Sequence, residues 1–149
     1  MKRKTIAKEI EYIGIGLHKG ENIKMRLLPS ENGIIFKRVD LEEGKNEITL
    51  DIANTFDLTR GTNLQNQYGA KVHTIEHFLS ALYALNITDL VVELDGNELP
   101  ICDGSARVFI EIFEEAGLKE LDSEVEPLVV KEPIYLTVGG KNVIALPYD

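Results

Sequence analysis

Two of the chain's three histidines and a carboxylate fall within five residues, in His73-Thr-Ile-Glu-His77. Imidazole nitrogen and carboxylate oxygen are the donors that hold zinc where thiolates are scarce. A carboxylate beside such a metal can take the proton of a bound water, whose pKa zinc brings to about 7. The spelling H-x-x-E-H is that of one class of zinc peptidases, with His73 and His77 as ligands and Glu76 as base. The plainer alternative is that each histidine is a surface or satisfied core residue, as a single histidine on an amphipathic helix usually is.

The element that would position these groups is a helix over Val72–Leu85. At 100° per residue, His73, Glu76 and His77 fall within an arc of about 100°, and Ser80, Ala81 and Ala84 share that side. Val72, Ile75, Phe78, Leu79, Leu82 and Leu85 fill the other side, and Asn86 is a C-terminal cap. Histidines four apart on a helix stand about 6 Å apart along its axis, within reach of one cation. Small residues on the histidine face imply that another element packs closely there. With the apolar stripe already complete, the cluster favours function over a structural role.

Around this helix the chain reads as α+β, an antiparallel sheet with two helices on one face. Strand patterns cover Thr5–Ile13, Asn22–Leu28, Gly33–Arg38, Glu47–Ile52 and Thr88–Asp95, the last expected to be buried on both faces. Gly14-Ile-Gly-Leu-His-Lys-Gly20 is a turn whose glycines imply positive φ or close backbone approach. Pro29–Gly33 is expected to join its flanking strands as a hairpin. Asn54–Tyr68 fits a strand or an irregular loop equally well. Asp103-Gly-Ser105 opens a second helix carrying Val108, Phe109, Ile112, Phe113 and Ala116, stopped by Gly117. Asp103-Gly-Ser105 is a turn and cap, not a nucleophile, since no histidine follows it. Cys102 reads as a small buried hydrophobe.

Leu118–Pro127 is acidic and reads as a linker, followed by strand-like runs at Leu128–Val130, Ile134–Val138 and Val143–Leu146. The last two should form a hairpin about Gly139-Gly140. The expected division is a domain over residues 1–122, then a linker and the opening of a second domain over 123–149.

The chain has 149 residues, 44% hydrophobic and 28% charged, which suits a globular domain. A net charge of −9 argues against a nucleic-acid partner, and a single cysteine excludes an internal disulfide or a thiolate zinc finger. No apolar run approaches the ~18 residues of a membrane span, and a cytoplasmic protein is expected.

Four collinear blocks carry a family resemblance: Gly14-Ile-Gly-Leu-His-Lys-Gly20, Gly33-Ile-Ile-Phe-Lys-Arg38, Thr74-Ile-Glu-His-Phe-Leu-Ser-Ala-Leu82 and Val92-Glu-Leu-Asp-Gly-Asn-Glu-Leu-Pro-Ile-Cys-Asp-Gly-Ser-Ala106. On these the chain resembles the N-terminal half of the UDP-3-O-acyl-N-acetylglucosamine deacetylases, zinc amidohydrolases of lipid A biosynthesis in Gram-negative bacteria. The resemblance implies two similar domains in the full enzyme, each like the second domain of ribosomal protein S5. It implies a nucleotide-sugar lipid substrate, whose N-acetyl group is hydrolysed. It makes His77 a zinc ligand and Glu76 the general base, and places His18 at the substrate cleft. His73 is not a ligand in that family, which demotes it to a supporting or surface position. The remaining ligands, a histidine and an aspartate, belong to the second domain, and no histidine follows His77 here. The expectation is an N-terminal fragment, inactive alone, whose exposed interdomain surface favours self-association. The other readings are the H-x-x-E-H zinc peptidase and a non-catalytic binding domain.

Overall fold

The computed structural model describes residues 1–148, so the last residue of the expected second segment lies outside the described residues. In chain order the elements are β1 (Lys2–Ile6), β2 (Ile10–Ile15), β3 (Asn22–Leu28), β4 (Ile34–Arg38), β5 (Glu47–Thr49), β6 (Leu64–Gln65), β7 (Lys71–Val72), α1 (Glu76–Leu85), β8 (Leu90–Leu94), α2 (Arg107–Ala116), β9 (Leu118–Glu124), β10 (Ile134–Val138) and β11 (Lys141–Ala145). A 3-10 turn lies at Ile52–Asn54.

The central sheet has the order β2-β3-β8-β4-β5. It is mixed rather than antiparallel, because β4 and β8 run parallel, with Phe36 opposite Val92. The expected hairpin of β3 with β4 is therefore replaced: β8 inserts between them, and β3 forms its hairpin with β2. Alternation along the strands buries one face, with Met25, Leu27, Phe36, Leu90, Val92 and Leu94 inward. Val91 and Glu93 on β8 are only half-buried, so this strand is not covered on both faces.

The helices cover the buried face. Phe36 meets Phe78 of α1 at 6.3 Å between ring centroids, and Phe78 meets Phe109 and Phe113 of α2 at 5.3 and 5.5 Å. Four interlocked rings, all fully buried, join sheet to both helices. Ala81, expected on the histidine face of α1, is instead fully buried beside Phe78 and Leu82, whereas Ser80 and Ala84 are exposed. Asn86 caps α1 in the left-handed conformation at φ 55°.

Three further expectations change. Thr5–Ile13 is two strands in different sheets, broken at residues 7–9. The acidic stretch after Gly117 is not a linker over its first part: Leu118–Glu124 is β9, antiparallel to β1. Only Leu121 of β9 is buried, which is why its composition conceals it. Leu128–Val130 is not a strand, while β10 and β11 form the expected hairpin with Gly139 and Gly140 at φ 55° and 77°.

Candidate functional site

Helix α1 starts at Glu76, later than the apolar spacing predicts. Lys71–Val72 is a short strand paired with Leu64–Gln65, which also resolves the ambiguous loop before it. His73 forms a parallel bridge with Glu98, its N–H donating to Asn97 O at 2.9 Å. Thr74 then adopts φ +58°, a conformation β-branched residues rarely take, and turns the chain into the helix. His73 and His77 are therefore not on successive turns of one helix, and the geometry of an H-x-x-E-H peptidase is absent.

Glu76 and His77 lie together in the first turn of α1, both half-buried. The Thr62 N–H donates to Glu76 Oε2 at 2.8 Å, and the Ile75 N–H donates back to Thr62 O at 3.1 Å. Neighbouring Gly61 keeps this approach open, since a Cβ there would come 3.3 Å from Glu76 Oε1. Asn63 extends the same loop, accepting the Thr74 N–H at 3.2 Å and donating to Asp57 O at 2.7 Å.

The other two histidines belong to a neighbouring cavity of about 520 Å³, lined by His18, Arg60, Asn63, His73, Asn97 and Glu98 among others. Glu76 and His77 do not line it. Its fixed point is Glu98, only 4% exposed, which sequence reasoning did not single out. Glu98 Oε1 lies 2.6 Å from His18 Nδ1 and accepts the Thr74 hydroxyl at 3.0 Å, while Oε2 accepts the His18 N–H at 3.1 Å. A signal was available in the close spacing Gly14-x-Gly16. Gly16 is not at positive φ but faces Glu98, where a Cβ would stand 2.7 Å from Oε2.

Burial raises the Glu98 carboxyl, but the hydrogen bonds from His18 and Thr74 outweigh it and hold the group below the ordinary glutamate value. His73 is lowered, first by burial and then by Lys71 and His18, against a raising influence of Glu98. Its ring stands edge-on to Phe56 at 5.4 Å, so it is a packed wall of the cavity. Cys102 is half-buried rather than fully buried, at φ +56°, and burial raises its thiol. Asp103 accepts the Ser105 N–H at 3.0 Å and Ser105 Oγ the Arg107 N–H at 3.1 Å, the turn expected before α2.

Among the described residues no three His, Cys, Asp or Glu side chains stand together so as to hold a metal ion. A catalytic zinc takes three protein ligands and an open position. His77 is a suitable donor, but the donor set of the described residues does not complete a zinc site. No helix among the described residues is long and apolar enough to cross a membrane.

Comparison with known proteins agrees with the motif blocks. The family model for UDP-3-O-acyl N-acetylglycosamine deacetylase matches residues 3–149. Proteins named UDP-3-O-acyl-N-acetylglucosamine deacetylase from Sulfurovum sp. (strain NBC37-1), Wolinella succinogenes and Aliarcobacter butzleri are 43%, 41% and 40% identical to this chain. Each match covers 100% of this chain and 49–50% of the relative, so the chain spans about half their length. Over that span, the chain belongs to the UDP-3-O-acyl N-acetylglycosamine deacetylase family.

Proposed function

We propose that this chain supplies the general base and one zinc ligand of a deacetylase that hydrolyses the N-acetyl group of UDP-3-O-acyl-N-acetylglucosamine. The observation that carries the reading is the placement of Glu76 and His77 side by side in the first turn of α1, with the Glu76 carboxylate held by the Thr62 N–H. The relatives' shared name supports the substrate. Lipid A biosynthesis in the cytoplasm is the setting that this substrate implies.

Zinc, when bound, polarises an amide carbonyl and lowers the pKa of water. His77 is the ligand this chain offers, and the others must come from outside the described residues. The domain expected over residues 1–122 carries Glu76, His77 and His18 and runs on through β9 to Glu124, with the rest leading into the second. In the reaction, water adds to the acetamide carbonyl carbon, the C–N bond breaks, and acetate and the free amine leave. Glu76 takes the proton of the attacking water and returns it to the leaving nitrogen, one carboxylate oxygen staying on Thr62. His18 meets the substrate at the cavity rim.

The 149-residue chain alone should show no deacetylase turnover, and joining it to the remaining half present in its relatives should produce it. Turnover by the chain alone, at the rate of the joined protein, would overturn the division of the site. The exposed apolar side chains of β10 and β11, among them Tyr135, Leu136, Val138 and Val143, favour self-association of the isolated chain. Sedimentation over a range of concentrations measures it.

A further inference from the structure

The carboxylate of Glu98 is enclosed from three directions by groups distant in sequence. His18 approaches with its ring Nδ1 and its own backbone N–H, Thr74 with its hydroxyl, and Gly16 with a bare Cα. The loop carrying His18 is tied to the segment carrying Glu98 by a bridge between Gly16 and Pro100 and by the Ile101 N–H on Ile15 O at 2.9 Å. Both ends of the His18–Glu98 contact are therefore held by backbone. The His18 side chain is otherwise 57% exposed, and no described residue hydrogen-bonds its Nε2.

A carboxylate offers only acceptor oxygens, so the ring nitrogen facing it at 2.6 Å must carry the hydrogen. Which nitrogen of a histidine is protonated is set by the bond the other one makes. Thr74 does not compete for that hydrogen. Its hydroxyl is 3.5 Å from Nδ1 and is already directed to Glu98 Oε1 at 3.0 Å. In hydrolase triads a buried carboxylate likewise holds an imidazole through Nδ1–H and leaves the opposite nitrogen as an acceptor.

We propose that Glu98 is a positioning residue that holds His18 in the Nδ1–H form and turns Nε2 into the cavity as its acceptor for a ligand hydroxyl or amide N–H. The ligand class that suits this group is a polyol or sugar. That last step rests on the deacetylase reading, whereas the state of the ring does not.

Long-range ¹H–¹⁵N spectra of the 149-residue chain at mildly alkaline pH separate the two. The wild-type His18 resonances should show the Nδ1–H form, and Glu98→Ala should shift His18 toward the Nε2–H form. Thr74→Val should leave the Nδ1–H form in place, and it serves as the folded comparison if Glu98→Ala does not fold. An Nε2–H ring in the wild type overturns the proposal. So does a ring unchanged by Glu98→Ala, or one released by Thr74→Val alone. In the joined, active protein, Glu98→Gln should raise KM for substrate more than it lowers kcat. An inactive joined protein with the predicted His18 spectrum would count against the deacetylase reading and leave the role of Glu98 standing.

Discussion

The backbone N–H of Thr62 donates to Glu76 Oε2 at 2.8 Å, linking the loop before β6 to the first turn of α1. The bond uses one carboxylate oxygen, and no described residue hydrogen-bonds the other. It also places a negative side chain at a helix N-terminus, where the macrodipole favours it. Glu76→Gln keeps an oxygen that can accept from Thr62 but removes the basic carboxylate. The expected outcome in the joined protein is full zinc content, unchanged folding and a fall in kcat of about 10²–10⁴-fold. His77→Ala should instead lower zinc content. Metal analysis and turnover on both variants check the assignment, and a Glu76→Gln protein with wild-type kcat would remove Glu76 as the base.

Gly16→Ala tests how tightly the loop closes on Glu98. The new Cβ would stand 2.7 Å from Oε2 and 3.3 Å from Cδ of a carboxylate already committed to His18 and Thr74. Relief requires breaking those bonds or shifting the loop, and overpacking of this kind costs about 1–3 kcal/mol. Urea unfolding should show that loss. A midpoint equal to wild type would mean that the carboxylate moves freely.

Acid should weaken the fold in two steps of the same sign. His73 titrates below its ordinary 6.5 in the folded chain, chiefly through burial. As pH drops under 6.5 the unfolded chain therefore takes up the proton first, and stability declines until the folded value is passed. Glu98, held below its ordinary 4.5 by hydrogen bonds that outweigh burial, does the same in a lower window. His73→Gln should flatten the stability curve just below pH 6.5, and Glu98→Gln only the part below 4.5. Chemical denaturation from pH 7 to 3 reads both. Equal slopes for wild type and His73→Gln near pH 6 would contradict the first step.

What the sequence made legible depended on how far each determinant lies from its effect. Helix α2 was readable because its apolar spacing, its Asp103-Gly-Ser105 turn and Gly117 are all local, and the β10–β11 hairpin because Gly139 and Gly140 sit where its turn needs them. The start of α1 was misplaced since the apolar spacing continues through Val72 and Ile75. Both are buried, but Val72 lies in β7 and Ile75 is the residue that caps α1, and the positive φ of Thr74 separates Val72 from the helix. Strand order was hidden because β8 reaches its place between β3 and β4 through pairings more than 50 residues apart. Glu98 looked like one acid in a polar turn. Its importance comes from His18 and Thr74, 80 and 24 residues away.

Arg3 and Asp89 form a pair that ties β1 to the start of β8. Asp89 is fully buried at the entry to β8, with Arg3 of β1 bound side-on through Nε and Nη2 of one guanidinium edge, its Nε at 2.9 Å. The same carboxylate accepts the Gly33 N–H at 2.7 Å and the Thr88 hydroxyl at 2.6 Å. It thereby joins β1 and the turn before β4 to the first residue of β8, where the parallel pairing begins at Ile34 opposite Leu90. Asp89→Ala leaves a guanidinium and an amide without their acceptor, and the Thr88 hydroxyl with only Lys4 O at 3.2 Å. Removing one partner of a buried pair costs about 3–5 kcal/mol. Arg3 is 27% exposed and can recover some hydration, which points to about 3 kcal/mol. The exposed Lys45–Glu42 pair gives the contrast, since Glu42→Ala should cost under about 1 kcal/mol. Urea midpoints for the two variants should differ accordingly, and an Asp89→Ala protein as stable as Glu42→Ala would show that the parallel β4–β8 register forms without this pair.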